Sequence, residues 1–149
     1  MLEKINKLFA QFNKKERLFL SDTVYDAYSY LHDILKEVDD ELIIMDPYAD
    51  LNVLDIIRDI DSRIVLITGN KSILSEKQIN RFNKQYNNKL TVFKNNKFHD
   101  RYIILDRKLV YHVGTSINYL GKKVFSIVLQ EEGFIKSNLE NFIKNIIDK

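Results

Sequence analysis

The stretch Phe98-His99-Asp100-Arg101-Tyr102-Ile103-Ile104-Leu105-Asp106 is followed, after a short gap, by Val113-Gly114-Thr115-Ser116-Ile117-Asn118. Side chains alternate faces along an extended strand, so the spacing of His99 and Arg101 sends both the same way. An imidazole beside a guanidinium can divide the work on a phosphate. The ring attacks phosphorus or moves a proton, while the guanidinium holds two non-bridging oxygens. Ser116 and Asn118 are likewise two apart, after a glycine that lets the backbone turn, and are expected to supply neutral donors to the same oxygens. Asp106 ends the His99 strand and is a candidate for orienting a histidine.

Working outward, the apolar pattern sets the elements. Leu2, Ile5, Leu8, Phe9 and Phe12 recur at helical spacing and predict an amphipathic helix over residues 1–16. Arg17–Leu20 reads as a short strand. Ser21 or Asp22 can then cap a helix running to about Val38, with Val24, Ala27, Tyr28, Leu31, Ile34 and Leu35 inward. Glu41–Met45 and Arg63–Thr68 are continuous apolar strands, separated by a short helix that turns Leu51, Leu54, Ile57 and Ile60 inward. A polar helix over Ser75–Tyr86 precedes strands at Lys89–Phe93, Arg101–Asp106, Leu109–Val113 and Lys123–Leu129. Phe134–Ile147 closes the pattern as an amphipathic helix with Ile135, Leu139, Phe142, Ile143 and Ile146 on one side. Strand–helix alternation in the first half implies parallel pairing, and the close-set later strands imply hairpins. The fold class expected is therefore α/β, a mixed sheet of about seven strands with helices on both faces.

A chain of 149 residues with 45% hydrophobic and 30% charged side chains is expected to form one globular domain. With no cysteine, disulfides, thiolate nucleophiles and zinc–cysteine sites are excluded. Apolar runs are strand-sized, and the first residues carry no signal-peptide pattern, so no membrane association and a cytoplasmic location are expected. The net charge of +2 conceals an asymmetry. Residues 1–70 hold 8 Lys/Arg against 14 Asp/Glu, whereas residues 71–123 hold 12 against 3. Lys94, Lys97, Arg107, Lys108, Lys122 and Lys123 bracket the His99 segment, which favours a groove for a polyanion over a generic solvated face.

The His99 segment resembles the phospholipase D superfamily, whose signature is His-x-Lys, four residues, Asp, a short hairpin and Gly-Ser-x-Asn. It stands here as His99-x-Arg101, Asp106 and Thr115-Ser116-x-Asn118. Tyr111-His112-Val113-Gly114 and Leu120-Gly121-Lys122-Lys123 are similar to stretches of PLD-like domains at the ends of some bacterial and phage regulators. The resemblance implies a PLD-like fold and a phosphodiesterase or nuclease that needs no metal or other cofactor. One histidine would be transiently phosphorylated and a second would protonate the leaving oxygen. With a single motif copy it further implies a homodimer that pools two His99 side chains. His99, Arg101, Asp106, Ser116 and Asn118 are then the catalytic set, and Lys94, Lys97, Lys122 and Lys123 the nucleic-acid contacts.

The sequence departs from the pattern in carrying Arg101 for lysine, Thr115 for glycine, and a longer span before Ser116. The acidic residue that supports the family's histidine falls among Gln130, Glu131 and Glu132 without a choice between them. Two alternatives stand beside the nuclease: a catalytically degenerate domain that binds nucleic acid or nucleotide phosphate, and a phage–host interaction module. His112 reads as a packed histidine and His32 as structural or exposed. Asp46, Pro47 and Tyr48 read as a turn or as the rim of a pocket.

Overall fold

The computed structural model describes residues 2–5, 16–131 and 133–148. Its centre is one seven-stranded sheet in the order β1-β7-β6-β5-β2-β3-β4. Strands β2 (Glu41–Met45), β3 (Arg63–Thr68) and β4 (Leu90–Lys94) are parallel. They are joined by the crossover helices α2 (Leu51–Ile57) and α3 (Glu76–Gln85). Strands β5 (Arg101–Leu105), β6 (Leu109–Val113) and β7 (Phe125–Leu129) form an antiparallel meander beside β2, and β1 (Glu16–Phe19) pairs antiparallel with β7. Two further helices are α1 (Val24–Leu35) and α4 (Gly133–Ile147), with a 3-10 turn at Ile117–Tyr119.

The sheet has two buried faces. Leu42, Ile44, Ile64, Leu66, Ile103 and Leu105 point into a large core shared with α1 and α2. Ile43, Met45, Val65, Ile67, Ile104 and Val110 point the other way, into a smaller core covered by Leu139, Phe142 and Ile143 of α4. Continuous apolar runs in β2 and β3 follow directly from that burial on both sides.

The sequence reading differs from the structure in detail. Helix α1 buries Tyr30 where Val24 was expected, and Val24 is exposed. Helix α2 turns Val53 and Ile56 inward with Leu54 and Ile57, and leaves Leu51 in solvent. At the N-terminus residues 2–5 are helical with Leu2 and Ile5 exposed, while Leu8, Phe9 and Phe12 lie outside the described residues.

The β5–β6 hairpin turns through Asp106 (φ 55°) and Arg107 (φ 53°), closed by Lys108 N donating to Leu105 O at 2.9 Å. Consecutive left-handed residues suit the twist of a tight hairpin but strain non-glycine side chains. Both side chains compensate. The Asp106 carboxylate accepts from the amides of Asp39, Asp40 and Glu41 at 2.7–3.0 Å, stapling the hairpin to the start of β2. Arg107 donates to Glu41 (2.8 Å) and to both carboxylate oxygens of Asp148, joining β2 to the end of α4. Burial works to raise the pKa of Asp106, but its amide donors outweigh that and hold the carboxyl below the ordinary carboxylate range. A depressed folded pKa contributes stability above the unfolded value and loses it as pH falls. Asp106→Ala should therefore cost about 2 kcal/mol in denaturant unfolding at neutral pH. The gap to wild type should close as pH drops below about 4; a gap of constant size down to pH 2.5 would refute this account.

Candidate functional site

One edge of the sheet gathers the C-terminal ends of β2, β3, β4 and β6 with the starts of β5 and β7, as the strand directions require. Open α/β sheets bind ligands beyond the carboxyl ends of their parallel strands. The β2–β5 register pairs Met45 with Tyr102, and the β2–β3 register pairs Met45 with Ile67. One place further along, Arg101, Asp46 and Thr68 form a row across three strands. Thr68 pairs onward with Lys94, and Arg101 with Val113.

Asp46 is wholly buried in that row. Its carboxylate accepts from Ser116 Oγ at 2.7 and 2.9 Å, from the Ile117 amide at 2.8 Å and from the Tyr48 amide at 3.0 Å. A buried charge persists only when hydrogen-bonded in this manner. Asp46 thus fixes the turn after β2 and the 3-10 turn after β6, seventy residues apart, at one point. Sequence reading noticed Asp46-Pro47-Tyr48 only as a turn or a rim. A carboxylate directly continuing an apolar strand was the available signal.

That arrangement revises the expected role of Ser116. The side chain is 1% exposed and donates its proton inward to Asp46, so it shapes the turn and is not an open donor. Asn118, two residues on, has a buried Oδ1 without a hydrogen-bond partner. Arg101 Nε and Thr68 Oγ1 are also buried without partners. Thr68 and Arg101 belong to the row through Asp46, and Asn118 to the 3-10 turn that Asp46 holds. The Arg101 guanidinium carbon lies 5.9 Å from the centre of the Tyr48 ring.

His99 sits in the β4–β5 loop two residues before β5 and is exposed. It forms no hydrogen bond or ion pair with another described residue. It lines an open cleft of about 310 Å³ with Pro47 and Tyr48 after β2, with Gly69, Asn70 and Lys71 after β3, and with Asn95, Asn96 and Phe98 from its own loop. Lys71 had no place in the sequence expectations, because its position beside His99 depends on the parallel β3–β4 pairing.

Asp106 is a correction. It lies past the far end of β5, about 20 Å of extended chain from His99. Its oxygens serve the β2 amides and do not orient the histidine. Arg107 and Lys108 share that opposite edge, as do Gln130 and Glu131. Gln130 N donates to Val110 O, far from the His99 end of β6, and Glu132 lies outside the described residues. Lys94, Lys97, Lys122 and Lys123 do fall on the His99 edge, Lys122 with its ammonium 5.2 Å from the Tyr119 ring centre. His112 is half-buried, edge-on to Tyr102 and 3.7 Å from Asp100, while His32 bonds Asp59 at 2.8 Å. Among the described residues no three His, Asp or Glu side chains gather into a metal-sized cluster, and no helix is long and apolar enough to cross a membrane.

No family model and no curated relative matches the sequence. Solved structures do match by shape. Nuc from Salmonella typhimurium, a phospholipase D family member, aligns with a TM-score of 0.65 at 10% identity, over 89% of this chain and 93% of that one. NucT from Helicobacter pylori aligns at 0.63 and 12% identity, over 90% and 96%. TrmBL2, an archaeal chromatin protein with a novel mode of DNA binding, aligns at 0.57 and 13%, over 88% of this chain and half of that protein. The chain has the phospholipase D-like fold.

Stability measurements separate the scaffold of the site from its open groups. Asp46→Ala leaves three donors, the Ser116 hydroxyl and the Tyr48 and Ile117 amides, without an acceptor and should cost about 3 kcal/mol. Thr68→Val, which removes an unpartnered hydroxyl at nearly constant shape, should be neutral or stabilise by about 1 kcal/mol. Asn118→Ala should be close to neutral. Urea titrations of the three variants check this, and a large loss for Thr68→Val would mean that its hydroxyl is internally satisfied.

Proposed function

We propose that this protein is a phosphodiesterase acting on nucleic acid at the His99 edge through a phosphohistidine, without metal. The observation that carries the reading is Arg101, with its buried Nε unpartnered and its guanidinium carbon 5.9 Å from the Tyr48 ring centre, on the same sheet edge as the open cleft that His99 and Tyr48 line. In the first step an imidazole nitrogen of His99 bonds to phosphorus as the bond to the leaving oxygen breaks. Arg101 holds the non-bridging oxygens, and the Asn118 carboxamide contributes beside it. The leaving oxygen takes a proton from His99 of a second copy, and water then hydrolyses the phosphohistidine.

Two features support the substrate and the assembly. Lys71, Lys94, Lys97, Lys122 and Lys123 make the rim cationic, which suits a polyanion backbone. TrmBL2, a protein of this fold, is described as DNA-binding. Exposed apolar side chains also collect at this edge. Leu20 lies opposite Val124, one place beyond the Phe19–Phe125 pair. Val24, Tyr25 and Tyr119 join them, because Gly121 (φ 74°) packs directly on Thr23 and Val24. A second copy covering that patch brings the second histidine to the edge. The alternative is a domain that binds the phosphate without cutting it. Arg101 in place of lysine favours it, as does the lack of a carboxylate bonded to His99 among the described residues.

Cleavage of labelled DNA and RNA in EDTA decides between them. We expect turnover that falls at least about a thousandfold in His99→Ala, with nucleic-acid affinity within a few-fold of wild type. Arg101→Ala should weaken binding and turnover together, and Arg101→Lys should retain turnover. Sedimentation should show a dimer at micromolar concentration. A dimer that binds nucleic acid but cuts nothing, as wild type or as Arg101→Lys, establishes the binding alternative.

A further inference from the structure

The cleft beside His99 has walls of defined chemistry, and the inference from them rests on the nucleic-acid reading above. A Cβ at residue 69 would stand 3.0 Å from Pro47 O and 3.3 Å from Asn96 Oδ1, so these loops close together only around glycine. Gly69 N donates to Pro47 O at 3.1 Å, and Asn95 N to Thr68 O at 2.8 Å. Asn70 N donates to Asn96 Oδ1 at 2.9 Å, and Lys97 N to Asn95 Oδ1 at 2.7 Å. Those last two bonds engage the carboxamide oxygens of Asn95 and Asn96, leaving their NH2 groups without a partner among the described residues. The Lys71 ammonium adds a third donor, and no carboxylate lines the cleft. Tyr48 and Phe98 supply ring surface in the same lining. The volume of about 310 Å³ has room for one base and its sugar and lies at the small end of ligand pockets.

We infer that this cleft receives one unstacked nucleobase flanking the bound phosphate, and that its donor-rich wall selects the carbonyl-rich bases thymine and uracil over adenine. Thymine presents carbonyl oxygens where adenine presents its amino donor, and a donor meeting a donor repels. A base enters such a recess only when it is out of the stack, so the substrate is a single strand or a locally opened one. Tyr48 lines the base cleft and has the Arg101 guanidinium carbon 5.9 Å from its ring centre, so the cleft adjoins the side chain assigned to the phosphate.

Fluorescence anisotropy on the full chain in EDTA, with labelled oligo-dT, oligo-dA and duplex of equal length, tests this. We expect oligo-dT to bind about tenfold tighter than oligo-dA, with duplex weaker than oligo-dT at equal salt. Asn95→Asp and Asn96→Asp keep the oxygens the loops use and remove the donors. Each should lower the dT-to-dA ratio by about fivefold or more, and the ratio cancels the general loss from added negative charge. Lys71→Met, at an exposed side chain, is the second route should either aspartate variant unfold, and should lower the same ratio. Nucleic acid bound with no base ratio, or with a ratio that none of the variants moves, overturns the base subsite and leaves the phosphate reading intact. No binding of any oligonucleotide at low salt overturns both.

Discussion

The carboxyl-end edge of this sheet depends on one buried carboxylate. Asp46 is wholly buried, and a hydroxyl and two amides donate to its carboxyl oxygens. Those donors come from the turn after β2 and the 3-10 turn after β6, so a single side chain sets the relation between parallel and antiparallel halves of the sheet. Tyr48, which walls the cleft, and Asn118, which offers an unpartnered oxygen, both hang from that point. Arg101 is its neighbour in the ladder, which gives the guanidinium a rigid seat without consuming its Nε donor.

Most of the architecture was legible because each strand buries both faces or alternates cleanly. The unbroken apolar runs at Glu41–Met45 and Arg63–Thr68 announced central parallel strands, and the Asp106–Lys108 turn announced a hairpin. The pairing of β1 with β7 carries no local signal, since β1 has only Phe19 buried and is defined by a partner over a hundred residues away. The site was legible in a different way. Spacing and residue type singled out His99, Arg101 and Asn118, but spacing along a strand says nothing about which end of it a neighbour serves. Asp106 and Ser116 therefore drew ligand-facing roles from one dimension that three dimensions reassign to holding backbone. Asp46 and Lys71 were missed for the converse reason, since their importance arises only from strands that the sequence separates.

The charge asymmetry seen along the chain becomes a spatial one only in part. Lysines after β3, after β4 and before β7 gather at the His99 edge, while Lys89, Arg107 and Lys108 of the same basic segment fall at the opposite edge. Two of these are consumed internally: Lys89 caps the end of α2 through the carbonyls of Ile57, Arg58 and Ile60, and Arg107 bridges Glu41 and Asp148. Counting charges in a window overstates the cationic face, and subtracting the cations that have structural partners corrects it.

The placement of β1 at the outside of the sheet, against the last strand, has a consequence for how the chain reaches this state. Strands β2, β3 and β4 can pair through short crossovers as soon as each is available, but β1 must wait for β7, and the β2 carboxylate must wait for Ser116. Contacts that close such long loops form late and slowly. Pairing of β1 and satisfaction of the Asp46 carboxyl are therefore expected after the parallel half has formed. The turns after β2 and β6 are thus locked together at the end of folding, in the same event that closes the sheet.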